Sequence, residues 1–344
     1  MEIQTTSFTS FIGRIKNAPS AKALDSFALK KGQKFNNIHW AAWFDRLNRV
    51  KPLKGLQLDQ LVPHITGKQF SPGQLAQIIR CCGQHKIDNQ NLLQPLFKQT
   101  LNSLDSFSDN ELHILLTGLQ GLECTHLICP LMNRFTADYQ KRVSTATLAI
   151  WIRTCLNTAP HTPHTQELLV TAEERMGEFK VEEVGMVLNS HLTKAAFQPS
   201  LLQAIETQIF SFQALSADDW ARLLPDLGAL RWRNPNLVLS ALSSCTPNTL
   251  LWDNIAILVA AKQMRVCDPQ AKTIALTVLD SPSLTKVWLS DRIRFLTALV
   301  YQLQPQEYQK TYPLIRSLVG QKHKLLPEGL RSLNKAIEKT AYCE

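Results

Sequence analysis

One apolar pattern recurs nine times along this chain, and its spacing decides what the chain can fold into. The anchors are Trp40, Leu75, Leu112, Leu148, Val184, Trp220, Ile255, Ile293 and Leu330, separated by 35, 37, 36, 36, 36, 35, 38 and 37 residues. Three residues past each anchor stands another large apolar side chain, from Trp43 and Ile78 through to Leu296 and Leu333. Four past it the series Phe44, Ile79, Leu116, Ile152, Leu188, Leu224 and Val259 continues, fading at Thr297 and Asn334. Positions i, i+3 and i+4 make one stripe on an α-helix. A fixed period of this length marks a repeat protein.

Neighbouring columns give the stripe its ends. Ser71, Ser108, Ser144 and Ser216 lie four before their anchors, where a hydroxyl caps a helix start. Glu182, Asp218, Asp253, Asp291 and Glu328 lie two before theirs, in the first turn, where the helix dipole favours acids. The residue after the anchor is small at Ala41, Ala76, Ala149, Gly185, Ala221 and Ala256, which predicts close approach by a neighbouring helix.

Each copy also carries a second helix, marked by Leu92-Leu93 with Leu96, Leu127-Ile128 with Leu131, Leu201-Leu202 with Ile205, Leu237-Val238 with Leu242, and Ile274 with Val278-Leu279. Pro163, Pro199, Pro235 and Pro269 precede such runs, as suits a first helical position. A single helix pair cannot bury its own apolar faces, whereas stacked pairs share one continuous core. The expectation is an all-α chain: a basic N-terminal segment over 1–34, a targeting sequence or flexible arm, then an α-solenoid of eight or nine helix pairs over 35–344.

Several function classes are excluded or disfavoured. No apolar run approaches the roughly 20 residues needed to cross a bilayer. No nucleotide-binding glycine loop appears, and neither Gly-x-Ser-x-Gly nor HExxH is present. HTPHT (His161–Thr165) reads as a loop, His113 as a helical residue, and the acids in EER and VEEV (Glu173–Arg175, Val181–Val184) as helix-end groups. No catalytic residue, metal site or cofactor is expected. The eight cysteines form no CxxC; Cys82 and Cys155 fall on core stripes, and a reduced state is expected.

Net charge is +9, unevenly spread. Lys and Arg outnumber Asp and Glu by 14 to 6 over residues 1–107 and by 16 to 11 over 216–344, while 108–215 holds 7 against 11. Two basic thirds flank an acidic middle, which points to polyanionic partners at the ends and protein partners between.

The consensus F-S-x-x-E-L-x-x-I-L, as in FSDNELHILLTGL and more loosely FSPGQLAQIIRCC, resembles the octotricopeptide and heptatricopeptide repeats and the helical region of FAST-kinase-like proteins. The resemblance covers residues 35–344. It implies a non-catalytic RNA-binding or scaffold subunit of an organellar ribonucleoprotein, with RNA (mRNA, guide-type RNA or rRNA) and other protein subunits as partners. The implied location is the mitochondrial matrix, with plastid or cytoplasm as alternatives, and the implied roles are RNA processing, editing, stability or ribosome assembly. Many relatives end in a RAP domain; here KLLPEGLRSLNKAIEKTAYCE reads as another helix instead. A protein-only adaptor or assembly factor is the alternative.

Candidate RNA contacts follow from helix geometry. Positions two, five and nine past the anchors lie about 140–200° round the helix, facing solvent, and include Arg49, Arg80, Arg153, Arg222 and Lys339. Gln77, Thr117, Asn157 and Asn189 occupy equivalent places, but so do Ile114, Ile150, Ile257 and Phe295, which imply that neighbouring helices or a partner cover part of this face. RWRNPN sets Arg231 and Arg233 around Trp232 in an inter-helix loop, suited to phosphate contact and base stacking.

Overall fold

A computed structural model describes residues 10–50, 57–122, 137–194 and 199–341 of the chain. Its regular structure is helical, with no strand among the described residues. The nine anchored segments are nine helices: α1 (Asn37–Arg49), α2 (Pro72–Gln84), α3 (Asp109–Leu122), α4 (Thr145–Thr158), α5 (Val181–Lys194), α6 (Ala217–Ala229), α7 (Leu251–Gln263), α8 (Leu289–Gln302) and α9 (Pro327–Thr340). Between them run second helices, among them Gln90–Asn102, Pro163–Glu174, Pro199–Ser211, Pro235–Ser244 and Pro269–Leu279. The four prolines are the first residues of the last four, as their fixed φ and missing N–H require. The second-helix set Leu127, Ile128 and Leu131 lies outside the described residues, as do Cys124, Cys129 and Cys343.

The chain forms two compact units, Met1–Phe179 with Thr193–Ala196, and Lys180–Leu192 with Phe197–Glu344. In the first, α1 packs on α2, α2 on α3, and α3 on α4; in the second, α6 packs on α7, α7 on α8, and α8 on α9. Each anchor is the fourth residue of its helix, except Ile255 and Ile293, which are fifth. All anchors but Leu330 are buried, and so are all nine residues three positions on.

That placement gives the consensus a physical meaning. Serine is the N-cap: Ser71, Ser144 and Ser216 accept from the backbone N–H of Gln74, Thr147 and Asp219. At α3, Ser108 Oγ accepts from Glu111 N at 3.4 Å, and Glu111 Oε2 accepts from Ser108 N at 2.9 Å, closing a capping box. The apolar residue before the cap (Phe35, Phe70, Phe107 and Val143 for α1–α4) is buried in every case. Its position, with the anchor as fourth helical residue, is that of a hydrophobic staple. Phe35 meets Trp40 edge-on with ring centroids 5.1 Å apart.

Residues 10–34 join this packing. Residues 10–16 and Ala21–Lys31 are helical, and Phe11 contacts Phe27, Phe35 and His39. Trp43 Nε1 donates to Leu24 O at 3.2 Å, and the Arg46 guanidinium donates to Ala18 O at 2.7 and 3.0 Å.

The small residues that follow the anchors differ in burial. Ala76 and Ala149 are buried, but Ala41, Ala221 and Ala256 remain part-exposed. Glycine allows a close helix approach at the crossing of α2 and α3. A Cβ added at Gly118 would stand 2.6 Å from Arg80 Cα, and one at Gly83 would stand 2.7 Å from the Gly118 carbonyl carbon. Only a residue without a side chain lets the two backbones come so near.

Candidate nucleic-acid interface

The arginines nominated from helix geometry differ in what already holds them. Arg49 ends α1 and pairs with Asp45 one turn earlier at 3.1 Å; Arg222 pairs in the same way with Asp218 at 2.5 Å. Arg80 and Arg153 occupy the same register, five past their anchors, on α2 and α4. Both are half-buried rather than solvent-facing, and neither makes a hydrogen bond or ion pair among the described residues. Thr117 holds that register on α3 and donates to His113 O at 2.8 Å. Two past the anchor, Ile150, Ile257 and Phe295 are buried, so the exposed arc is narrower than one helix in isolation implies. The reason is that an inner first helix has a first helix on each side as well as second helices beneath.

RWRNPN divides its residues between packing and solvent. Trp232 Nε1 donates to Glu206 Oε2, and Asn234 Nδ2 donates to Glu206 Oε1 at 2.7 Å, which ties the loop to Pro199–Ser211. Arg231 and Arg233 on either side are exposed.

Arg231 belongs to a pattern that the anchor columns did not reveal. Lys86, Arg231 and Arg265 each stand two residues beyond a first helix (α2, α6 and α7) with φ of 50°, 59° and 63°. The next residue closes the helix end: Ile87 N donates to Cys82 O at 2.8 Å, Trp232 N to Leu227 O at 3.0 Å, and Val266 N to Ala261 O at 2.8 Å. This is the Schellman arrangement, whose left-handed residue is usually glycine. A side chain there costs about 1–2 kcal/mol. In all three the side chain is an exposed cation at the negative end of a helix dipole.

The same ends of α7, α8 and α9 gather more positive charge. Lys262 Nζ donates to Thr297 Oγ1 at 2.8 Å, bridging α7 and α8. Lys339 Nζ stands 5.8 Å from the Tyr301 ring centroid, joining α9 to α8. Burial and then the charges of Lys335 and Lys339 push Lys262 below its ordinary range. None of the three lysines has an ion pair among the described residues. Lys262 is repelled by Lys335 and Lys339, and Lys339 stands beside the half-exposed Tyr301 ring, an arrangement able to take an anion with a flat group attached.

Of these cations, the columns picked out Lys339 and the RWRNPN loop Arg231, while Lys86, Arg265, Lys262 and Lys335 were missed. A signal existed: the second residue past the first helix, where glycine is expected, is basic in four copies, at Lys51, Lys86, Arg231 and Arg265.

At the opposite ends of the first helices the second unit has a hollow of about 340 Å³, floored by Ala221 and Ala256 and rimmed by Asp218, Asp253, Asp291, Arg222, Arg294 and Trp252. Asp253 lies above its ordinary range through burial first and the Asp218 charge second, with Arg222 opposing.

The described residues contain no cluster of three or more His, Cys, Asp or Glu able to hold a metal. Burial pushes the Cys81 thiol up and that of Cys82 up to about 12, so neither is a nucleophile at neutral pH. His164 packs by Trp151 with centroids 5.7 Å apart, and burial lowers its basicity. Among the described residues no helix is long and apolar enough to cross a membrane. Compared with protein-family models and with curated proteins, the chain finds no match.

Proposed function

We propose that this chain is a non-catalytic α-solenoid that binds RNA through the C-terminal ends of its first helices, as a subunit of an organellar ribonucleoprotein. The observation that carries the reading is the recruitment of cations to those ends. Lysine or arginine replaces glycine at three left-handed helix caps, and Lys262 feels the charges of Lys335 and Lys339, the last beside Tyr301, with no ion pair to any of the three among the described residues. Both arrangements cost stability, and phosphate contact recovers it. Stacking on Tyr301 adds affinity without demanding one base. Arg80 and Arg153, without an ion pair among the described residues, supply further donors in the first unit.

The resemblance of the repeat consensus to octotricopeptide, heptatricopeptide and FAST-kinase-like helical repeats supports the solenoid geometry, the RNA partner and a mitochondrial matrix location. Ultraviolet crosslinking of the full chain to bound RNA, followed by mass spectrometry of the crosslinked peptides, tests the proposal. Adducts are expected on peptides carrying Tyr301, Arg231 or Arg265. Crosslinks confined to other surfaces would refute the assignment of this edge.

A further inference from the structure

The N-terminal ends of the last three first helices break the capping rule that α1–α4 and α6 obey. The N-caps of α7, α8 and α9 are Leu250, Trp288 and Leu326, none of which makes a side-chain cap. Their backbones are nonetheless those of a capped position: Leu326 has φ −69° and ψ 158°, against −71° and 164° at Ser216. Serine would fit and would stabilise each helix. These three side chains are instead among the most exposed apolar groups described, at 65%, 75% and 78%, and Trp252 in the first turn of α7 adds 45%.

The four form one edge. The starts of α6, α7 and α8 lie together, since Asp218, Asp253 and Asp291 share the hollow already described. Packed helices stand about 8–10 Å apart, so Leu250, Trp288 and Leu326 span roughly 20 Å. That is the length of an α-helix of about 13 residues.

Charge selects the occupant. Three aspartates against two arginines line the hollow beside Trp252, and both arginines are already paired, Arg222 with Asp218 and Arg294 with Asp291 at 3.6 Å. Asp253 makes no ion pair among the described residues. An RNA phosphate is repelled here, whereas a guanidinium or ammonium meets Asp253 and the Trp252 face together.

We propose that this edge docks a protein segment, an amphipathic helix whose apolar face covers Trp288, Leu250 and Leu326 and whose arginine or lysine enters the hollow beside Trp252 and Asp253. The edge lies at the opposite helix ends from the lysine cluster, so one first-helix layer presents a protein-binding rim and an RNA-binding rim. The docking reading does not depend on RNA binding.

The probe is a phage-displayed library of random 14-residue peptides, panned on the full chain and on its Trp288→Ser/Leu326→Ser variant. Wild type is expected to enrich peptides with a basic residue between helically spaced apolar ones. A synthetic copy of a selected peptide should bind the variant about tenfold more weakly or worse. The variant should melt no lower than wild type, because serine restores the caps, and this separates docking from a packing role. Asp253→Asn should weaken the same peptide and remove the preference for a basic residue. The proposal is overturned by no enrichment, by enrichment of acidic or neutral peptides, or by equal binding to the variant. Sedimentation showing that these substitutions dissolve a homodimer would also overturn it, by making a second copy the occupant.

Discussion

Gly118→Ala probes the contact that sets the spacing of α2 and α3. The new Cβ would lie 2.6 Å from Arg80 Cα and N and 2.7 Å from the Ile79 carbonyl carbon, where ordinary contact begins at 3.4 Å. Those atoms belong to a helix backbone and cannot rotate aside, so α2 and α3 must separate by roughly 1 Å, loosening the dispersion contacts along the crossing. Overpacking of this kind costs about 1–3 kcal/mol, and more when backbone must move. Alanine's better helix propensity returns up to about 1 kcal/mol. The net expectation is a destabilisation of about 2 kcal/mol, read as a lower urea midpoint by far-ultraviolet circular dichroism. Gly13→Ala is the control, since Gly13 is helical and nothing lies within 4 Å of its added Cβ. It should stabilise by up to about 1 kcal/mol. If Gly118→Ala matched Gly13→Ala in sign, the close crossing would be refuted.

Other substitutions separate local terms. Ser216→Ala removes a capping box, in which Asp219 Oδ2 accepts from Ser216 N at 3.0 Å, and should cost about 1 kcal/mol in the same assay. Arg265→Gly relieves a left-handed side chain and should leave thermal stability unchanged or raised while weakening RNA binding; a clear loss of stability would contradict the cap assignment. Burial raises the Asp226 carboxyl to about 6, against the opposing hydrogen bond from Asn189. A raised folded-state value means that its stabilising contribution is complete below the ordinary carboxylate range and is lost as pH rises through about 6. Asp226→Asn should therefore stabilise at pH 7 by about 1–2 kcal/mol and flatten the stability profile between about pH 4 and 7, as urea midpoints across that range will show.

The nine first helices were legible because a buried stripe must recur at the helical period, and a cap must sit a fixed distance before it. Trp40, Leu112 and Ser108 carry that information locally. The Gly83–Gly118 crossing was not legible, because it depends on which two backbones meet. The extent of the covered arc was hidden for the same reason: Phe295 and Ile257 lie off the main stripe and are buried by adjacent first helices. Among the nominated arginines, charge and register alone could not separate Arg222, held by Asp218, from Arg153, which makes no ion pair among the described residues. The lysine cluster draws Lys262, Lys335 and Lys339 from α7 and α9, and only the packing of α7, α8 and α9 brings those columns together.

Fluorescence anisotropy of labelled single-stranded RNA, titrated with the full chain across a series of salt concentrations, tests the central claim most directly. The account predicts binding that weakens linearly in log–log form. The variant Lys262→Gln/Lys335→Gln/Lys339→Gln should show a slope shallower by about 2, since each lost phosphate contact removes about 0.7. No binding by the folded wild type at low salt, or an unchanged slope in the variant, would contradict it.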